Sequence, residues 1–389
     1  MKMVIYVHIP FCVKKCYYCD FLSSPANKET IDKYIKALIN EIEYYGRIYG
    51  KKGSKETVSS VFFGGGTPSI LEGIYIEEIM NKLKELFYIE ENAEITIECN
   101  PGTANEDKLR KYIEVGINRL SIGLQSANDE ELRSVGRIHT YSEFLDVYKL
   151  ARKVGFNNIN IDLMSALPNQ TLDSYKDTLD KVVELAPEHI SAYSLILEEG
   201  TCLYEKIEEL EKAGKPTGLP DEETERNMYY ETKRILEEKG YYRYEISNYA
   251  KSGYECRHNM AYWEREDYIG IGIGAASLLE GIRTKNICDI NEYIVIGKEP
   301  NSRVDSSETE VLTKEDKMAE FMFLGLRMVE GVSTKEFYEE FGEDFDTIYG
   351  GITQKHIKEG LLVRNGENIR LTELGMDVSN VVMSSYILC

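Results

Sequence analysis

The strongest constraint on the fold is an alternation that fills the first two thirds of the chain. Short runs rich in β-branched residues are each followed by a polar or glycine-rich turn and a segment with helical periodicity. The pattern predicts strands at 4–9, 58–63, 94–98, 119–124, 158–163 and 189–195, and helices at 28–49, 72–87, 105–115, 141–154, 171–185 and 222–239. This alternation predicts an α/β fold with parallel strands and crossover helices. Six units fit a partial (β/α)6 barrel better than a complete barrel, and a doubly wound open sheet is the alternative.

The composition of the sequence changes after the sixth unit. We expect residues 1–240 to form the barrel and the Tyr- and Gly-rich segment 241–296 to close it. The polar residues 297–312 are predicted to be a linker. Residues 313–389 then show two helical segments, the second with Ser333 as its predicted N-cap. A further helix and a hairpin with Asn-Gly at its turn follow. They predict a small helical, winged-helix-like domain.

Composition limits the partners and the compartment. A wing often binds nucleic acid, but a net charge of −21 argues against a nucleic-acid surface. The chain has no apolar run long enough to span a membrane and no cleavage site after its first apolar segment, so we expect neither a span nor a signal peptide. Eight cysteines without a secretory signal favour a reducing, cytoplasmic location. The sequence leaves a homodimer open.

Three cysteines follow the first predicted strand with the spacing CxxxCxxC: Cys12, Cys16 and Cys19. A structural zinc site requires four ligands, and a thioredoxin-like motif requires two cysteines. Here no fourth cysteine or histidine follows. Three thiolates can instead hold three irons of a [4Fe–4S] cube and leave the fourth iron free for another ligand. The spacing therefore predicts an iron–sulfur cluster with one open corner.

The second predicted strand ends in a glycine-rich loop, GGGTP, which contains Gly65, Gly66 and Thr67. Glycine allows a ligand to approach the backbone closely. No lysine follows, so the loop is not a phosphate-binding P-loop. Thr67 is predicted to cap the following helix, with Pro68 in its first position. A simple tight turn is the alternative interpretation.

Polar side chains end the next three strands: Glu98, Gln125 and Asp162. In a barrel of parallel strands the carboxyl ends meet at one face, where functional residues lie. Carboxylate and amide oxygens there could accept hydrogen bonds from ribose hydroxyls or an ammonium group. Arg137 could bind a carboxylate with both of its terminal nitrogens. The strand ends therefore predict a ligand site beside the three cysteines.

These motifs resemble a known family. CxxxCxxC after a first strand resembles the radical S-adenosylmethionine (SAM) superfamily. The segments YVHIPFC, GGGTP, IECNPGT, GLQS, GRIHT and IDLMSALPNQT, in order over residues 4–280, resemble the oxygen-independent coproporphyrinogen III oxidase-like family. The resemblance implies that SAM chelates the open iron and that the reduced cluster cleaves it. By resemblance the SAM contacts are Tyr6, Tyr18, Gly65, Gly66, Thr67, Glu98, Gln125, Arg137 and Asp162, with Ser194 and Ala276 as weaker additions.

Two features favour the haem-chaperone (HemW-like) branch of that family. Its oxidases resemble this chain but carry CxxxCxxCxC and a longer N-terminal extension, whereas here Phe21 stands at the position of the last cysteine. The chain also contains HNxxYW, a motif that the branch associates with haem: His258, Asn259, Tyr262 and Trp263. Imidazole is a common haem-iron ligand. A structural role for His258 is the alternative, and Cys256 is a second possible ligand.

The resemblance implies haem as a ligand besides the cluster and SAM. It also implies haem-acceptor proteins, membrane cytochromes among them, and an electron donor as partners. A haem chaperone is therefore the leading hypothesis. The alternatives are oxidative decarboxylation of the propionates of coproporphyrinogen III and modification of a nucleic acid.

Overall fold

The computed structural model describes residues 2–51, 56–296 and 303–387. All six predicted strands form: β1 (Lys2–Ile9), β2 (Thr57–Gly65), β3 (Tyr88–Cys99), β4 (Arg119–Gln125), β5 (Ile159–Ser165) and β6 (His189–Ser194). They are parallel and lie side by side in chain order. A doubly wound sheet reverses its order part-way, so this alternative is wrong. The sheet does not close on itself, and the predicted partial barrel is confirmed.

Helices on the outside of the sheet connect the strands. They are α1 (Lys28–Ile48), α2 (Gly73–Leu86), α3 (Glu106–Glu114), α4 (Asp129–Ser134), α5 (Tyr141–Val154), α6 (Leu172–Glu184), α7 (Cys202–Lys212) and α8 (Glu222–Glu238). Asn27, Asn105, Thr140, Thr171 and Asp221 accept a backbone hydrogen bond at the start of five of them, which satisfies amide groups that a helix leaves free. Their apolar faces pack on the sheet and form one large core.

The segment after α8 extends the sheet at both edges. Its elements are β7 (Tyr242–Arg243), β8 (Asn248–Ala250), α9 (Arg257–Trp263), β9 (Asp267–Ile271), β10 (Ala276–Leu279), β11 (Ile282–Lys285), α10 (Ile290–Val295) and β12 (Glu310–Val311). Strand β8 pairs antiparallel with β6, and β9 pairs parallel with β1 at the opposite edge. Of the predicted linker, residues 297–302 lie outside the described residues, whereas β12 pairs with β11.

The C-terminal part has a core of its own. It contains α11 (Lys314–Gly325), β13 (Val332–Ser333), α12 (Thr334–Phe341), α13 (Phe345–Lys358), β14 (Leu362–Asn365), β15 (Asn368–Leu371), α14 (Glu373–Asp377) and α15 (Ser379–Ser384). Ser333 accepts from the Glu336 amide, so the predicted N-cap is confirmed. The β14–β15 hairpin turns at Gly366 and Glu367. Helices α11, α12 and α13 and a small sheet, in the order β13-β15-β14, form the expected winged-helix-like arrangement, which α14 and α15 follow.

The length and polarity of the helices bear on membrane insertion. Across residues 2–51, 56–296 and 303–387, no helix is long and apolar enough to cross a membrane.

Candidate functional site

The loop that carries the three cysteines is held over the carboxyl ends of the strands. Phe11 pairs with Ser24 at the base of the loop. At its tip, the Tyr17 amide donates to the Val135 carbonyl over 3.0 Å, and the Tyr17 carbonyl accepts from the Leu203 amide over 2.8 Å. Backbone bonds to two other connections therefore fix the position of the loop. The thiols of Cys12, Cys16 and Cys19 line one cavity there.

The GGGTP loop lies directly against the cysteine loop. Gly65 has a φ of 108°, a conformation that favours glycine. A side chain at Gly66 would come within 2.8 Å of the Phe11 carbonyl oxygen. Thr67 does not cap the short helical turn that follows, contrary to the prediction; its hydroxyl lies 3.4 Å from the Cys12 thiol instead. The glycines thus let the two loops that surround the cavity touch.

Two carboxylates face the cavity from β3 and β5, which lie on either side of β4. Glu98 accepts a hydrogen bond from the Gly65 amide over 3.1 Å. Burial, followed by the nearby charge of Asp162, raises the pKa of Glu98 to about 8. Burial also raises the pKa of Asp162, although Asn160 and Ser121 donate to its two oxygens. Two acidic groups that are costly to ionise favour a ligand that brings positive charge or hydrogen-bond donors.

Arg137 and Gln125 also line the cavity, Gln125 at the end of β4 between the two carboxylate strands. The Arg137 guanidinium lies 3.7 Å from the Cys16 thiol and donates to the Gly123 carbonyl. Its buried Nε has no hydrogen-bond partner within the described ranges. Gln125 adopts a φ of 72° where the pairing of β4 with β5 shifts register, and its side-chain oxygen accepts from the Tyr193 hydroxyl over 3.0 Å. These two residues offer a cation and an amide to a ligand.

The predicted cluster and SAM residues are thus brought together, with Tyr6 as the exception. The cavity, of about 140 Å³, is lined by Cys12, Cys16, Cys19, Tyr18, Gly65, Gly66, Thr67, Glu98, Gln125, Arg137 and Asp162. The Tyr6 hydroxyl is directed at His8 Nδ1, 3.0 Å away. Of the weaker additions, Ser194 donates to Glu225 and Ala276 lies in β10, and neither lines this cavity.

Other lining residues were missed by sequence reasoning. Ser121 and Gly123 precede Gln125 by four and two positions on β4 and also line the cavity. The two-residue period of a strand places them on the same face, so this signal could have found them. Tyr193 lines the wall where its neighbour Ser194 was predicted. Tyr193 lies four positions after His189 on β6, so the two-residue period of a strand places both side chains on one face.

The donor set fits a cube better than a single metal ion. In the part of the chain that the structure describes, no group of three or more His, Cys, Asp or Glu side chains could hold one ion. Three thiols that line a cavity without converging on one point suit a cluster, because each thiolate of a [4Fe–4S] cube binds a different iron. The buried Arg137 Nε, which has no hydrogen-bond partner among the described residues, offers a donor to a ligand beside the cluster.

Comparisons with known proteins agree with this geometry. The model of the Radical SAM superfamily matches residues 6–182, and that of the HemN C-terminal domain matches residues 312–378. Proteins named heme chaperone HemW are 35% identical over 383 residues in Lactococcus lactis, covering 98% of this chain and 97% of the relative, and 34% identical in Bacillus subtilis, covering 98% of each. The chain belongs to the HemW-like branch of the oxygen-independent coproporphyrinogen III oxidase-like radical SAM family.

A solved structure supports the same fold for the HemW-like chain. Coproporphyrinogen III oxidase (HemN) from Escherichia coli, described as a radical SAM enzyme, superimposes with a TM-score of 0.84 at 25% identity. The match covers 99% of this chain and 90% of that one. Barrel, added strands and C-terminal domain are therefore shared across the HemW-like and oxidase branches.

In this HemW-like chain the HNxxYW motif lies on α9, away from the cluster cavity. The helix contacts β1 and β2 on one side and α11 of the C-terminal part on the other. His258 is 2% exposed. One ring nitrogen lies 2.9 Å from the Ser60 hydroxyl and the other 3.1 Å from the Tyr262 hydroxyl, and its ring stacks on Phe62. Both nitrogens that could bind iron are thus engaged.

The rest of the motif extends from His258 toward the C-terminal part. Asn259 is half-buried on the same helix. The Tyr262 ring meets Tyr268 edge-on at 4.8 Å. Trp263 lies under the Arg327 guanidinium, 4.2 Å from its ring centre. Burial, followed by the charge of Arg119, lowers the pKa of His258 to about 3, so the imidazole is neutral and chemically able to bind a metal.

Proposed function

We propose that this protein is a cytoplasmic haem chaperone that carries a [4Fe–4S] cluster and SAM, binds haem and delivers it to acceptor proteins. The observation that carries the proposal is similarity at 33–35% identity, over nearly the whole of each chain, to proteins named heme chaperone HemW. Phe21, in place of the last cysteine of the oxidase spacing, supports the same branch.

In this proposal the cavity residues divide into two groups. Cys12, Cys16 and Cys19 would hold three irons of the cluster. Glu98 and Asp162 would accept hydrogen bonds from the amino and ribose groups of SAM, and the other wall residues would contact the rest of it. When bound and reduced, the cluster supplies the electron for SAM cleavage. Arg137 would place a positive charge beside the Cys16 thiolate.

Substitution of Cys16 by alanine tests the cluster. We expect anaerobic reconstitution of the parent protein to give about four irons per chain and broad visible absorbance. Cys16→Ala should lose most of both, because two thiolates do not hold the cube. Cys288 is exposed and lies outside the loop, so Cys288→Ala is the matched control and should keep the iron. Zinc in place of iron, or full iron content in Cys16→Ala, would refute the assignment.

Titration with haemin tests the function. We expect a saturable Soret shift at one haem per chain, and at least tenfold weaker binding by His258→Ala if the motif supplies the iron ligand. His356→Ala is the matched control, because His356 is equally buried and also hydrogen-bonded through both ring nitrogens. Melting temperatures of both variants control for unfolding. An unchanged Soret band in the parent protein would contradict the chaperone proposal.

Ser60→Ala gives a second test of whether His258 binds the haem iron. The substitution removes the partner of one ring nitrogen and leaves the motif intact. If His258 binds haem iron, its release from Ser60 should strengthen haem binding. Equal affinity in Ser60→Ala and the parent protein would place the ligand elsewhere.

The second candidate is oxidation of coproporphyrinogen III, which the fold shared with HemN favours. Anaerobic incubation of the reconstituted protein with this substrate, SAM and a reductant distinguishes the two. The chaperone proposal expects no protoporphyrinogen from protein that carries an intact cluster. Its formation would favour the oxidase.

A further inference from the structure

A line of buried, hydrogen-bonded polar groups, called the relay below, runs from Asp162 along one face of the sheet. The Asn160 amide nitrogen lies 2.8 Å from Asp162 Oδ1, and its oxygen lies 2.6 Å from His189 Nδ1. His189 Nε2 is 2.9 Å from the Tyr244 hydroxyl, which in turn lies 3.1 Å from the Cys256 amide. Four hydrogen bonds thus join the cavity wall to the residue that precedes α9.

The direction of each bond follows from the one before it. Asp162 Oδ1 accepts, so the Asn160 NH₂ faces it and the Asn160 carbonyl oxygen faces His189. His189 Nδ1 must then carry the hydrogen, which leaves Nε2 as an acceptor. The Tyr244 hydroxyl donates to Nε2 and accepts from the Cys256 amide. Every donor meets an acceptor, so the relay admits a single arrangement of amide, tautomer and hydroxyl.

Surrounding contacts hold this arrangement in place. The Asn160 NH₂ also donates to Ser121 over 2.8 Å, and its oxygen also accepts from Ser191 over 3.2 Å, so the amide has no unused capacity. His189 is 1% exposed. Burial, followed by the charge of Arg119, holds the pKa of His189 well below its usual range. The ring is therefore neutral and the tautomer is set by its partners.

The far end of the relay is the first turn of α9. The Arg257 and His258 amides donate to the two oxygens of Glu94, over 3.1 and 3.2 Å. Cys256 directs its thiol at the same carboxylate, and its amide at Tyr244. The start of α9 is thus anchored at two points, of which one leads to Asp162.

We propose that His189 and Tyr244 are positioning residues that orient Asp162 for its ligand and couple the cavity to the helix that carries HNxxYW. The proposal rests on the proposed SAM site. A ligand that displaces the Asp162 carboxylate changes the chain of hydrogen bonds that ends at the Cys256 amide. By reciprocity, any displacement of α9 changes the orientation of Asp162.

Two substitutions of His189 separate the two halves of the relay. In His189→Asn, the amide nitrogen can take the place of Nδ1 and keep the bond to Asn160. In His189→Gln, the amide reaches the place of Nε2, where its oxygen can accept from the Tyr244 hydroxyl, and the bond to Asn160 is lost. We expect SAM binding to reconstituted protein to stay within about twofold in His189→Asn and to weaken about tenfold in His189→Gln. Equal weakening that follows the melting temperatures would show a merely structural role and overturn the proposal.

Spectroscopy tests the relay without any ligand. In ¹⁵N-histidine-labelled protein, the His189 resonances should show hydrogen on Nδ1 and none on Nε2. Tyr244→Phe should move the Nε2 resonance, because its donor is lost, whereas Tyr242→Phe, an exposed neighbour, should not. Hydrogen on Nε2 in the parent protein would overturn the proposal, whether or not SAM binds.

Hydrogen exchange tests the coupling. Addition of SAM to reconstituted parent protein should change the exchange rate of the Cys256 amide, and His189→Gln should abolish this response. An amide that exchanges at the same rate with and without bound SAM would refute the coupling. If the parent protein does not bind SAM at all, the proposed function fails instead, and the labelled-histidine result still decides the relay.

Discussion

At the scale of single residues, the carboxyl group of Glu98 shows most clearly how burial changes a pKa in the site. It is partly buried at the end of β3, where its side chain accepts a hydrogen bond from the Gly65 amide. Burial and the charge of Asp162 raise its pKa to about 8. At neutral pH the carboxyl group is therefore mostly protonated, and a cationic ligand would favour its ionisation.

This shift predicts how stability depends on pH. A raised pKa in the folded state gives stability that is complete below the ordinary pKa, near 4.5, and is lost as pH rises toward about 8. Glu98→Gln removes this loss of folding stability. We therefore expect the variant to be about 2 kcal/mol more stable than the parent protein above pH 8 and equally stable near pH 4.5. The difference falls short of the full shift because the cavity admits water.

Urea unfolding of the cluster-free protein across this pH range measures the difference. Glu91→Gln, at an exposed position of the same strand, is the control and should follow the parent protein at every pH. A Glu98→Gln curve parallel to that of the parent would show that Glu98 titrates normally.

Residue-level prediction worked where chemistry and strand geometry coincide. Cys16 and Asp162 were predicted from a spacing and from a position at a strand end, and both line the cavity. His258 illustrates the limit. Its neighbours Ser60 and Phe62 lie almost two hundred positions earlier in the chain, so no local pattern indicates that both ring nitrogens are engaged.

At the scale of elements, local periodicity was sufficient for the central sheet. The strands and helices of the six units end within a few residues of their predicted ends, because an alternating apolar pattern encodes both the element and its buried face. An exception is β3, which begins at Tyr88, six residues before its prediction. Its first half is polar and lacks the pattern. Strand β9 was not predicted, since its pairing with β1 is a long-range contact.

Helix α9 depends on one buried carboxylate. Glu94 is 6% exposed and accepts from the Arg257 and His258 amides and the Cys256 thiol. Glu94→Gln keeps the size of the side chain but turns an NH₂ group toward donors. We expect a loss of about 2 kcal/mol in the free energy of unfolding, together with faster hydrogen exchange at the first amides of α9. Glu91→Gln again serves as the control, and equal stability of the two variants would show that α9 is held by packing alone.

At the scale of the whole molecule, α9 also joins the two cores. Arg265 forms two hydrogen bonds with Glu340 of α12, at 2.7 Å each. The Arg327 guanidinium covers the Trp263 ring. These contacts join α9 and the residues just after it to the C-terminal part. An event at the cavity that moves α9 would therefore reach the C-terminal part through Trp263.

Trp263 is the only tryptophan of the chain, so its fluorescence reports this junction. Arg327→Leu removes the cation over the ring and opens its edge to water. We expect emission at longer wavelength and a loss of about 1 kcal/mol in stability, the usual size of a partly buried cation–π contact. Arg364→Leu, which removes a similar contact with Phe345 far from the tryptophan, should leave the emission unchanged. Identical spectra for Arg327→Leu and the parent protein would mean that the C-terminal part does not rest on α9 in solution.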